Sequence, residues 1–150
     1  MEDWRTRLVD TPDGIRSLLS GIHRVAILGA RPDSMPDRPA YYVAGALQRM
    51  GLTILPVVVN DHPDAEILGE PVYRRLIDVP RPIDVVDVFR RAEDLPAHVD
   101  DIIACAPGAV WFQAGIRNDT VAEQLARAGI PVVQDRCLMV EYRALGPRLR

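Results

Sequence analysis

Apolar positions along the chain fall into short unbroken runs, separated by stretches whose apolar residues recur at helical spacing. Val25 to Leu28 is one such run, closed by Gly29, and Thr53 to Val59 is another that is nearly unbroken. Ile83–Val88, interrupted by Asp84 and Asp87, then Ala109–Phe112 and Pro131–Gln134 continue the series. Runs of this length are expected of strands covered by helices on both faces. Pro56 predicts that the second strand leaves regular pairing early. Between the strands, Val43, Ala46, Leu47 and Met50 repeat at i, i+3, i+4, i+7, which makes one buried helical face from about Tyr42 to a stop at Gly51. Thr11 as N-cap and Pro12 at the first helical position predict a helix to about Leu19. Further helices are expected over Leu95–Cys105, from the Asn118 cap through Ala128, and from about Leu138 to Leu145, where Gly146-Pro147 stops the last. Ile67–Tyr73 reads as irregular and Arg74–Asp78 as one helical turn.

Strands and helices alternate throughout, so the fold class is α/β: a doubly wound parallel five-stranded sheet with helices on both faces. A chain of 150 residues is one domain, with residues 1–22 as a helical N-terminal extension and 23–145 as the core. Such sheets bind ligands beyond the C-terminal strand ends, where the strand order reverses. That rule selects the loop after Leu28, Asn60–Asp64, Phe89–Arg91 and Gln113–Arg117.

Charge and composition narrow the chemistry. A net charge of −3 leaves no basic footprint for nucleic acid. The chain has no lysine, so any basic contact to a phosphate comes from arginine, which binds bidentately. Two cysteines without paired spacing, a polar N-terminus and the lack of an apolar run near the ~20 residues of a membrane span point to the cytoplasm.

At the selected stretches, Gly29 would let the backbone approach a pyrophosphate that Arg31 or Arg38 neutralises, or the segment is a plain strand-to-helix turn with surface arginines. Ala30 and Arg31 break any dinucleotide glycine fingerprint. Asp61 stands where dinucleotide sites keep a carboxylate for ribose, which leaves a nicotinamide-type enzyme as an alternative. Phe89 could pack on an adenine and Arg90 reach a phosphate. Gln113 both donates and accepts, and Gly115 permits close approach. Cys137, at a helix start beside Arg136, is a possible redox thiol, whereas Cys105 reads as structural. His23, His62 and His98 are scattered, so no metal site is expected, and no catalytic constellation can be named.

Five segments in order carry a resemblance: R-V-A-I-L-G-A with a later P-D-R-P, I-L-G-E-P-V-Y, I-D-V-V-D-V-F-R-R, V-W-F-Q-A-G-I and D-R-C-L-M-V-E. Together they resemble the CoA-binding domain family, small stand-alone relatives of the N-terminal domain of succinyl-CoA synthetase alpha subunits. The resemblance implies a Rossmann-like domain that binds coenzyme A. It implies pyrophosphate contacts at Gly29, Ala30, Arg38 and Pro39, and adenosine contacts near Asn60. Val88, Phe89 and Arg90, with Gln113, Ala114 and Gly115, would complete the groove. The family's usual serines are replaced by Arg31 and Ala40, so Arg31 either supplies charge or fills the site. Stand-alone members share no established reaction. The expectation is therefore non-catalytic binding of CoA or an acyl-CoA, with neither nucleic acid nor membrane as partner. A thiol-linked regulator acting through Cys137 is a further alternative.

Overall fold

In the computed structural model, which describes residues 3–59 and 63–149, five parallel strands form the main sheet. They are β1 (Arg24–Leu28), β2 (Thr53–Val57), β5 (Val85–Val88), β6 (Ala109–Phe112) and β7 (Val132–Val133). A hairpin of β3 (Glu66–Ile67) and β4 (Glu70–Pro71) stands apart. The helices are α1 (Pro12–Leu19), α2 (Pro39–Arg49), α3 (Val99–Cys105), α4 (Asp119–Arg127) and α5 (Leu138–Leu149). The sheet order is β2-β1-β5-β6-β7, with Leu28 held between Val57 and Val88. The chain steps from β1 outward to β2, then crosses back to β5. The reversal point therefore lies between the C-terminal ends of β1 and β5.

Both faces of the sheet are buried, which is why the strands read as unbroken apolar runs. On one face Val25, Ile27 and Trp111 pack under Ile15, Leu19, Val43, Leu47 and Leu138 from α1, α2 and α5. On the other, Ala26, Val86 and Phe112 meet Val99, Ile102, Val121 and Leu125 from α3 and α4. Asp87 breaks this pattern. It sits between Ile27 and Trp111 at 0% exposure, and neither carboxylate oxygen has a hydrogen-bond partner among the described residues. Burial pushes its carboxyl well above the usual carboxylate range.

Several boundaries differ from the sequence expectation, each for a local reason. Helix α2 starts at Pro39 rather than near Tyr42, because Pro39 occupies the first helical position, where its missing N–H costs nothing. Strand β2 ends at Val57, short of the apolar run to Val59 as expected, but Pro56 itself stays paired. Val58 donates to the Tyr73 carbonyl and Tyr73 donates to Pro56, so the proline nitrogen faces the outer edge and no ladder bond is lost. The expected third helix is divided into a 3-10 segment, Ala92–His98, containing Pro96, and the shorter α3. The segment read as irregular holds the β3–β4 hairpin, turned by Leu68 and Gly69, both at positive φ (54° and 76°). Helix α5 continues past Gly146-Pro147 to Leu149. The N-terminal extension is only partly helical: Leu8 pairs with Val132, and Val9 donates to the Val132 carbonyl at 2.8 Å along the edge of β7.

Candidate functional site

The ends of β1 and β5 meet unusually closely. Gly29 has φ +94°, and a Cβ there would lie 2.8 Å from the Phe89 carbonyl oxygen. Only glycine lets these two strand ends turn outward side by side. The amides of Gly29 and Ala30 both donate to the Val57 carbonyl, at 2.9 and 3.0 Å. These residues position the loop; their N–H groups are already committed. Val88 is likewise a core residue.

Beyond this junction opens a cavity of about 700 Å³. One wall carries Arg31, Arg38, Arg90 and Arg91, and no carboxylate lines it among the described residues. That concentration of guanidinium groups stands out in a chain with a net charge of −3. Arg38 is the N-cap of α2 and makes no side-chain capping bond, Pro39 follows, and Ala40 lines the cavity as well. The helix thus presents its N-terminus to the same space; Pro39 has no N–H and the Tyr41 and Tyr42 amides donate to the Arg38 carbonyl, so the Ala40 amide and the helix dipole are what favour an anion there.

The arginines are not equivalent. Arg90 is held from behind: its Nε donates to His98 Nε2 at 3.3 Å and its guanidinium pairs with Asp94 at 3.6 Å. Burial, with the nearby Arg90 charge, holds His98 below its ordinary value and so keeps it an acceptor. Arg91 pairs with Glu93 and Asp94. Arg31 and Arg38 make no ion pair among the described residues, and Arg31 stands on the wall without closing the space.

The opposite wall comes from two loops knitted together. Gln113 Oε1 accepts the Leu138 amide at 2.9 Å, and Asp135 Oδ1 accepts Gly115 N–H at 2.7 Å. Gln134 Oε1 accepts Asn118 N–H at 2.7 Å, and Trp111 Nε1 donates to the Arg136 carbonyl at 2.7 Å. This assigns a role to the D-R-C segment: it fixes the loop after β6 and starts α5. Arg136 itself turns away, to Glu141 and the Asp10 carbonyl. Cys137 lines the cavity at the head of α5. Cys105 is buried, and burial pushes its thiol up to about 11.

Of the residues singled out from sequence, Arg31, Arg38, Pro39, Phe89, Arg90, Gln113, Ala114, Gly115 and Cys137 share this cavity. Gly29, Ala30 and Val88 stand behind it. Asn60 and Asp61 lie outside the described residues. Ile116, inside the selected Gln113–Arg117 stretch, lines the cavity too, whereas Tyr42, Val43, Met139 and Val140 do so without having been anticipated. Tyr42 and Val43 fell outside the loop because both were assigned to the helix, Val43 to its buried face.

A family model described as the CoA binding domain matches residues 23–143. The chain belongs to the CoA-binding domain family. Over 128 residues it is 33% identical to the uncharacterized protein YneT of Bacillus subtilis, an alignment covering 85% of this chain and 91% of that protein. A Thermus thermophilus protein of known structure is 42% identical, with a TM-score of 0.83 over 91% of this chain and 99% of the other. A Pyrococcus horikoshii protein matches at 31% identity and a TM-score of 0.82, covering 97% and 99%. These likenesses agree with the Rossmann-like doubly wound fold. Among the described residues no helix is long and apolar enough to cross a membrane, and no cluster of potential metal ligands occurs.

Proposed function

We propose that this chain is a non-catalytic binder of coenzyme A or an acyl-CoA, with the diphosphate held between the N-terminus of α2 and the guanidinium groups of Arg31 and Arg38. The observation that carries this reading is a cavity lined, among the described residues, by four arginines and no carboxylate, placed where the strand order reverses. Two unpaired guanidinium groups and a helix N-terminus suit a diphosphate. Phe89 and Gly115 offer flat and open surfaces nearby, and the volume falls within the range of small-molecule sites. Membership of the CoA-binding domain family supports the choice of coenzyme A among adenylated diphosphates.

Calorimetry with CoA, dephospho-CoA, NAD and ATP tests this reading. Saturable heat with CoA, exceeding that with NAD and ATP, is expected. No heat with CoA at millimolar ligand would remove it, and preferential binding of NAD would favour the nicotinamide alternative.

A second reading rests on Cys137 lining the same cavity. Its thiolate would displace one CoA thiolate from CoA disulfide, leaving a protein–CoA mixed disulfide and free CoA. Intact-mass measurement after treatment with CoA disulfide is expected to show a single adduct on the wild type and none on Cys137→Ser. The same adduct on both proteins excludes Cys137.

A further inference from the structure

Resting on the CoA reading, we infer that the site is built for an acyl thioester with an aliphatic chain, the chain lying over the seam between α2 and α5 with its carbonyl held by Gln113. The cavity lining is of two kinds: the four arginines, and the apolar side chains of Tyr42, Ile116, Met139 and Val140. The large apolar side chains exposed on the described surface are Tyr42, Ile77, Ile103 and Val140, and the first and last of these stand on this cavity at 45% and 53% exposure. They come from the first turns of α2 and α5, two helices that pack against each other, and both line the cavity. Free CoA ends in a thiol, so beyond the pantetheine arm it has no apolar group to cover these side chains. An acyl chain supplies one.

Gln113 supplies the polar contact. It is 5% exposed, and its Oε1 is fixed by the Leu138 amide. This orients the amide group and leaves Nε2 without a partner among the described residues, on a side chain that lines the cavity. Among the described residues only the Asp87 oxygens are both buried and unpartnered, so this Nε2 is open to the cavity, where an acceptor on the ligand can reach it. The thioester carbonyl lies where the anionic carrier ends and the acyl chain begins, and Gln113 lines the same cavity as the arginines and the apolar side chains.

Affinities for CoA, acetyl-CoA, octanoyl-CoA and the thioether S-octyl-CoA, measured by calorimetry on the full chain, test the inference. Burial of about two methylenes suffices for a tenfold gain, so octanoyl-CoA is expected to bind at least tenfold tighter than CoA, with acetyl-CoA between them. S-octyl-CoA, which lacks the carbonyl, is expected to bind severalfold weaker than octanoyl-CoA. Val140→Glu, at an exposed position away from the core, is expected to bring octanoyl-CoA down to the wild-type affinity for CoA. Equal binding of CoA and octanoyl-CoA, or an acyl advantage that survives Val140→Glu, overturns the acyl inference and leaves the CoA reading standing. Equal binding of octanoyl-CoA and S-octyl-CoA overturns the role given to Gln113. No binding of any of the four ends both readings together.

Discussion

A Cβ on Gly29 would come within 2.8 Å of the Phe89 carbonyl oxygen. The obstacle is backbone, which cannot swing aside, and Gly29 also holds φ +94°. Gly29→Ala is therefore expected to lose about 3 kcal/mol of stability, from left-handed strain plus displacement of the β5 end. Urea denaturation should show a lower midpoint with an unchanged slope. A variant as stable as the wild type would mean that the two strand ends are not packed this tightly.

Asp87 makes stability depend on pH with a defined sign. Its folded-state carboxyl keeps its proton well above the ordinary range because burial disfavours the charged form. The unfolded chain releases that proton near pH ~4. Above that pH the folded state binds the extra proton, so stability falls as pH rises, by up to about 1.4 kcal/mol per unit, until the folded carboxyl itself ionises. Asp87→Asn is expected to flatten this dependence and to be more stable than the wild type at pH 8. Urea titrations between pH 5 and 9 on both proteins decide the matter; parallel profiles would place the proton elsewhere.

Arg31 and Arg38 face the cavity without ion pairs among the described residues, unlike Arg90 and Arg91. Each of Arg31→Ala and Arg38→Ala is expected to weaken CoA binding roughly tenfold, the scale of one charge-assisted phosphate contact. The loss should shrink at high salt. An affinity unchanged by Arg38→Ala removes that residue from the diphosphate contacts.

Asp135 holds φ +57° while its carboxylate accepts Gly115 N–H at 2.7 Å. Asparagine tolerates this conformation and keeps an acceptor oxygen; alanine does neither. Asp135→Ala is expected to cost about 2 kcal/mol, and Asp135→Asn less than half of that. Thermal unfolding of both variants checks the order.

Legibility in the sequence followed range. Strands β1 and β6 have the ends their apolar runs predicted, because burial on both faces is written into consecutive residues. The Thr11 and Asn118 caps were equally local, and both side chains accept amides of their own helices. The cavity's arginines and Gln113 were found from strand ends alone. What stayed hidden depends on partners far along the chain. Nothing near Asp135 or Gln134 announces Gly115 and Asn118 as their partners, so the D-R-C segment could be noticed but not explained. Gly29 was chosen for the right turn but a different task, since its amide is taken by Val57, a neighbour that only the sheet provides. Tyr42 and Val140 escaped because exposed apolar residues near helix starts carry no local signal.

The Leu8–Val9 segment lies along the free side of β7, and Tyr73 does the same for β2. Each outermost strand already has short backbone company drawn from its own chain, so a second molecule finds little unpaired ladder to extend. Association between copies is thereby steered away from the main sheet's edges and toward surface side chains, and changes in those side chains can tune it without disturbing the sheet that holds the cavity.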